Sequence, residues 1–179
     1  LTEVIGDIVT PSPMCDLLIA GMRDLRPVLV AFDPAVSFGV GENRVNDAEQ
    51  GLIEAARRIR NALGCAVQYI HHSGKMNARN GTVDQYAGRG GSAFADGSRM
   101  VAVAASMTAD DFLAETGQAL ADDETALRLA LPKLSFCRQQ PDLILRRAGY
   151  RFVAVPLSAD GKTALRDATA EMLHRFLVS

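Results

Sequence analysis

The sequence predicts an α/β fold built around parallel strands, and three observations point to it. The run Val28-Leu29-Val30-Ala31-Phe32 carries no charge and ends at Asp33-Pro34. That is the pattern of a buried parallel strand with a carboxylate at its carboxyl end. An amphipathic helical segment follows, and then a second apolar run, Cys65 to Ile70. A strand, a helix and a strand in succession form a βαβ crossover, so the two strands should be parallel. Open α/β sheets bind ligands at the carboxyl ends of such strands.

Each further element has a local reason. Pro11-Ser12-Pro13 marks a turn, and Met14, Leu17, Leu18, Met22 and Leu25 fall at helical spacing. Arg26-Pro27 ends that helix. A Gly-containing loop runs from Pro34 to Arg44. Asn46 with Glu49 then reads as a capping-box-like start. Leu52, Ala55, Ala56, Ile59 and Leu63 make the apolar stripe of the crossover helix. Glu54 and Arg58 suit an i,i+4 pair on its outer face, and Gly64 suits its stop.

Beyond His71-His72 lies a polar, Gly-rich stretch from Ser73 to Ser92, of a length that is usually functional or disordered. A third apolar strand is expected from Arg99 to Ala105. The acidic segment Thr108 to Glu124 reads as peripheral. Ala126 to Leu131 reads as a strand, and Leu143 to Arg147 with Tyr150 to Val155 as a hairpin through Ala148-Gly149. At the end, Leu165, Ala168, Met172, Leu173 and Phe176 share one side of a helix over Ala164 to Leu177.

Composition narrows the class. The chain has 179 residues, enough for one domain with a sizeable core. Its net charge of −2 gives no global basic footprint, so any nucleic-acid contact must come from a local patch. The three cysteines, Cys15, Cys65 and Cys137, are odd in number and widely spaced. They form neither a disulfide framework nor a C-x-x-C metal knuckle, and a reducing, cytoplasmic setting is expected. No apolar run approaches the roughly 20 residues of a membrane span, and the first residues do not read as a signal peptide. The chain opens on Leu1 within Thr2-Glu3-Val4-Ile5-Gly6-Asp7. It is read as the downstream part of a longer polypeptide, with a processed N-terminus as the alternative.

Three segments that carry chemistry follow one another in order. They are Asp33, then Ile70-His71-His72-Ser73-Gly74-Lys75, then Gly88-Arg89-Gly90-Gly91-Ser92-Ala93-Phe94-Ala95-Asp96-Gly97-Ser98-Arg99. Taken singly, each has a plain structural reading. An Asp-Pro after a strand often starts a turn. Adjacent histidines can be one core and one surface residue. Metal binding by that pair is disfavoured, because strand neighbours point to opposite faces. Gly88 to Gly91 can be a flexible turn, and Arg99 a solvated arginine.

Together, the three segments resemble the RecA-like ATPases of the RepA-type hexameric helicases. The resemblance rests on an Asp-Pro strand, HH[ST]GK and RG-x-SA-x-x-D-x-x-R in that order, and it covers about Arg23 to Val155. It implies a three-layer α/β core with a mostly parallel sheet, ending in a β-hairpin and a C-terminal helix. The whole chain, 1–179, would be a single partial domain with its core at about 14–155. It implies ATP and Mg2+ as cofactors, DNA (single-stranded) as partner, and self-association into a ring or smaller oligomer.

By the same resemblance, Asp33 looks like the Walker B aspartate that orients magnesium. His72, in preference to His71, looks like the sensor of the γ-phosphate. Arg99 looks like the arginine finger, with Arg89 as second candidate; a guanidinium there offsets charge on the transferring phosphoryl group. Lys133, in Leu131-Pro132-Lys133-Leu134-Ser135, matches the lysine of a Lys-x-Arg pair that contacts the neighbouring nucleotide, but Ser135 replaces the arginine. Lys75, Arg79 and Tyr86 lie in the Ser73 to Ser92 loop, where basic residues with an aromatic suit single-strand tracking and base stacking. A solvated loop is the equal alternative.

No G-x-x-x-x-G-K-[ST] occurs in the chain. In Pro156-Leu157-Ser158-Ala159-Asp160-Gly161-Lys162-Thr163, a proline stands at the first glycine position, where it lacks the needed N–H. In Ser73-Gly74-Lys75, no Ser or Thr follows the lysine. The sheet is therefore expected to be incomplete at its N-terminal side, with the catalytic glutamate also missing. The strands flanking the missing one, Cys65–Ile70 and Arg99–Ala105, should then pair directly or be covered by another chain, since unpaired buried backbone is costly. ATP hydrolysis by this chain alone is not expected. Two other readings stand beside the helicase ATPase: a non-catalytic binding or regulatory module, and a different α/β enzyme using Asp33 and His72.

Overall fold

A computed structural model describes residues 1–39, 45–74, 77, 80–88 and 92–158. The chain divides into two compact units, residues 1–74 with 88–98, and residues 75–87 with 99–179.

The first unit opens with a hairpin of β1 (Thr2–Ile5) and β2 (Ile8–Pro11). Helix α1 (Pro13–Met22) follows and tightens into a 3-10 turn over Arg23–Leu25, so the expected helix is present with its last turn narrowed. Strand β3 (Leu29–Phe32), helix α2 (Val45–Leu63) and strand β4 (Ala66–Tyr69) form the crossover. β3 and β4 are parallel, as the sequence predicts, with Leu29 opposite Ala66 and Phe32 opposite Tyr69. A short helix, α3 (Ala93–Gly97), completes the unit.

The inward residues of the parallel pair are set by alternation. Val30 and Phe32 are buried and pack with Cys15, Ile19, Ala55, Ile59 and Cys65 from the helices and the start of β4. On the opposite face, Leu29, Ala31, Ala66 and Gln68 stay exposed. Gly64 has φ +68°, and its N–H donates to Arg60 O at 2.8 Å, stopping α2 where expected.

Two expectations for α2 are corrected. Val45 is already helical, so Asn46 lies inside the helix and is not its cap. Glu54 pairs with Arg57 at 3.2 Å, while Arg58 reaches Asp16 of α1 at 2.7 Å. Arg58 turns to the neighbouring helix because a cross-helix carboxylate lies within its reach. Both pairs are about half exposed, where such bonds contribute little.

The second unit is an antiparallel sheet in the order β5-β6-β7-β8. Its strands are β5 (Met100–Met107), β6 (Glu124–Leu134), β7 (Leu143–Ala148) and β8 (Arg151–Val155), with a bulge between Val101 and Val103. The predicted hairpin is the β7–β8 pair. Helix α4 (Ala109–Thr116) places Phe112 at zero exposure against Ala126, Ile144 and Val155. The acidic segment is thus not peripheral: one aromatic residue within it is the centre of this core. Thr108 caps α4, its Oγ1 accepting from Asp111 N–H at 3.1 Å.

Of the two alternatives expected for the strands at Cys65–Ile70 and Arg99–Ala105, direct pairing or cover by another chain, direct pairing is not present among the described residues. Among the described residues β4 pairs with β3, and β5 pairs with β6 from Met100 to Met107. β5 is an edge strand of the antiparallel sheet, and its pairing among the described residues is with β6 alone. The predicted helix over 164–177 lies outside the described residues. Among the described residues, no helix is long and apolar enough to cross a membrane.

Candidate functional site

The carboxyl ends of β3 and β4 carry the first two predicted segments. Ile70 N–H donates to Phe32 O at 2.9 Å, and Ala35 N–H donates to Ile70 O at 2.8 Å. These bonds continue the parallel ladder past both strands. They hold Asp33 and His71-His72 beside each other at one end of the pair. Phe32 points into the core, so the next residue, Asp33, points the other way and is exposed. His72 is exposed as well, while His71 is half-buried.

Aromatic packing supports this end. Phe38 meets Phe32 edge-on at 5.0 Å between ring centroids, and Phe32 stacks on Tyr69 at 5.3 Å. Tyr69 meets Phe94 of α3 at 5.3 Å, and Phe94 meets His71 at 5.4 Å. The His71 ring is thereby fixed by an apolar neighbour, leaving His72 as the outward histidine. Tyr69 also donates its hydroxyl hydrogen to Leu52 O at 2.8 Å. Burial pushes the Tyr69 hydroxyl well above its ordinary value, with the buried Cys15 thiol adding to it. Burial likewise raises the Cys15 thiol, against a lowering by Arg58.

Sequence reasoning missed what anchors α3. Asn46 Oδ1 accepts from Ser92 N–H at 3.0 Å, and Glu49 Oε2 accepts from Phe94 N–H at 3.3 Å. The Glu49 side chain is buried. Asn46 and Glu49 are capping residues after all, but for the helix at Ser92 and not their own. At the other end of α3, a Cβ on Gly97 would sit 2.8 Å from Ile53 Cγ1 and Cγ2. Only glycine lets this turn approach α2 so closely. The visible signal was Phe94 among small residues, which sets one large side chain where α3 must meet a partner.

The remaining predicted residues fall elsewhere. Arg99 and Lys133 belong to the second unit, at the end where β5 starts and β6 stops. Ser135 N–H donates to Arg99 O at 2.9 Å, and Val101 is the ladder partner of Lys133. The Arg99 guanidinium lies 5.7 Å from the centroid of the Phe136 ring. Tyr86, also of the second unit, is half exposed, and its N–H donates to Asp84 Oδ1 at 2.7 Å. Lys75, Arg79 and Arg89 lie outside the described residues.

Magnesium can be tested against this donor set. Among the described residues no three His, Cys, Asp or Glu side chains cluster as a metal cage. Magnesium bound with nucleotide does not need one, since it uses one or two carboxylates, phosphate oxygens and water. The exposed Asp33 carboxylate fits that mode. An open depression of about 640 Å³ lined by Thr10, Pro11, Glu54, Arg58, Asn61 and Ala62 lies on the side of β2 and α2 and includes none of the predicted residues.

Comparison with known proteins gives one family match. The AAA domain family matches residues 9–78. No curated protein matches the chain. The matched segment is thus similar to an AAA-type, ATPase-like nucleotide-binding domain, a class that generally works with magnesium. It contains α1, β3, Asp33, α2, β4, His71, His72 and Lys75. Arg79, Tyr86, Arg89, Arg99 and Lys133 lie beyond it.

Proposed function

We propose that this chain supplies the Walker B and sensor strands of a RecA-like, RepA-type helicase ATPase that couples ATP hydrolysis to DNA unwinding or translocation in replication. One observation carries the reading: within the AAA-matched segment, the parallel ladder sets Asp33 and His71-His72 side by side at the carboxyl ends of two strands. Asp33 would hold magnesium on the nucleotide phosphates, where the ion offsets phosphate charge. His72, outward and exposed, would report on the γ-phosphate. Arg99, or Arg89, would reach a neighbouring subunit's nucleotide, with Lys133 beside it. Lys75, Arg79 and Tyr86 would follow single-stranded DNA. Ring or smaller self-association would bring a second chain to the open edge of the β3–β4 pair.

Fluorescent ADP and ATP titrated into the chain, with and without magnesium, test this. Weak, magnesium-dependent binding is expected, lowered in Asp33→Asn. His72→Ala should reduce the preference for ATP over ADP and leave ADP binding unchanged. No turnover is expected, because the chain contains no G-x-x-x-x-G-K-[ST]. Nucleotide binding indifferent to both substitutions would contradict the assignment. Magnesium-independent turnover abolished by His72→Ala would point instead to a different α/β enzyme. Binding without discrimination between ATP and ADP would favour a non-catalytic module.

A further inference from the structure

The loop between β6 and β7 presents an aromatic ring that contributes nothing to either described core. Phe136 is 83% exposed. Its position is nevertheless defined. Ser135 N–H donates to Arg99 O at 2.9 Å, Gln139 Nε2 donates to Leu131 O, and Gln140 Nε2 donates to Arg138 O at 2.9 Å. The Arg99 guanidinium lies over the ring at 5.7 Å, an arrangement that holds the ring by cation–π attraction.

The surroundings are basic and polar. Arg99, Lys133 and Arg138 lie on or beside the loop, and its one acid, Asp142, is engaged by Arg128 at 3.5 Å. A protein-docking aromatic normally sits in a ring of contacts that exclude water. Here its loop neighbours are Ser135, Cys137, Arg138, Gln139 and Gln140, all exposed or half-exposed. A flat ring backed by Arg99, with Arg138 two residues along the same exposed loop, in a chain of net charge −2, matches a ligand that alternates π-faces with phosphates.

We propose that Phe136 is a base-stacking platform for single-stranded nucleic acid, with Arg99 held behind the ring and Arg138 on an adjacent phosphate, which leaves the finger role to Arg89. This rests on the nucleic-acid partner proposed above and adds a residue to those named there. Arg99 backs one side of the ring, and a base stacks on the other. A mononucleotide shares this chemistry, so the test separates the two.

The chain has no tryptophan, so Phe136→Trp introduces a single fluorescent reporter. Titration with oligo-dT should quench its emission saturably, while ATP at the same phosphate concentration should not. In parallel, the anisotropy of labelled oligo-dT should show binding weakened about 10-fold in Phe136→Ala and equally in Phe136→Leu, which keeps the bulk but not the ring. The exposure of Phe136 means that neither variant threatens the fold. Arg138→Ala should flatten the salt dependence of binding. Oligomer binding unchanged by Phe136→Ala would overturn this site while leaving the helicase reading intact. Quenching by ATP equal to that by oligomer would overturn the single-strand assignment. Absence of any oligomer binding would also overturn it, and the magnesium-dependent nucleotide binding at Asp33 would still judge the ATPase reading separately.

Discussion

The two units of this chain solve the same problem, burying one face of a sheet, in opposite ways. In the first, β3 and β4 are parallel, and the long helix α2 must connect them. That crossover brings both strands to a stop at the same end, where Asp33 and His71-His72 emerge. In the second, neighbours run antiparallel and reverse through loops, so polar residues collect at turns on both ends of the sheet. The core there is one helix residue, Phe112, against Ala126, Ile144 and Val155. Arg128 ties α4 to the strands through Glu115 and Asp142. The parallel unit therefore concentrates candidate chemistry at one edge, while the antiparallel unit offers separate surface sites such as Phe136.

The largest effect that bears on this contrast should come from Phe112→Ala. Emptying that site should cost about 3–5 kcal/mol. Hydrogen exchange should show lost protection centred on β5 to β8; an equal loss across β3 and β4 would erase the distinction between two cores. Next, Gly97→Ala forces a Cβ against Ile53, and overpacking of this kind costs about 1–3 kcal/mol. The NMR shifts of Phe94 and His71 should move with it, while those of the β7–β8 hairpin stay in place. A smaller loss, about 1 kcal/mol, is expected for Thr108→Ala, which removes the cap of α4; Thr108→Asn should restore most of it in chemical denaturation.

The smallest effect concerns pH. Burial raises both the Cys15 thiol and the Tyr69 hydroxyl in the first unit. The folded chain holds these protons more tightly than the unfolded chain does. Their contribution is complete below the ordinary thiol value of 9.0 and falls as pH rises above it. Denaturant midpoints should therefore decline on the alkaline side of 9.0, and Cys15→Ala should flatten part of that decline. A flat alkaline profile in the unsubstituted chain would contradict the burial of both groups.

The parallel unit was the more legible in sequence because its signals are local and redundant. An uncharged run stops at Asp33, an apolar stripe runs from Leu52 to Leu63, and Gly64 ends the helix. Asn46 and Glu49 have the spacing of capping residues, but the helix they serve is not legible locally, since a bond to Ser92 and Phe94 across 46 and 45 residues leaves no local trace. The partner of Arg58 is hidden for the same reason: Asp16 is near only in space. In the antiparallel unit, the hairpin at Ala148-Gly149 was plain from its turn. Phe112 was hidden by the acidic residues around it, which form the outward side of α4. That β5 pairs with β6 could not be read from β5 itself, because apolar alternation does not say which edge a strand will join.

The assignment of the β3–β4 strand ends is tested most directly by manganese in place of magnesium. Manganese with ADP, added to isotope-labelled chain, should broaden backbone amide signals at Asp33 to Phe38 and at Ile70 to Gly74, and Asp33→Asn should remove the effect. Broadening that persists in Asp33→Asn, or that centres on residues of the antiparallel sheet, would contradict it.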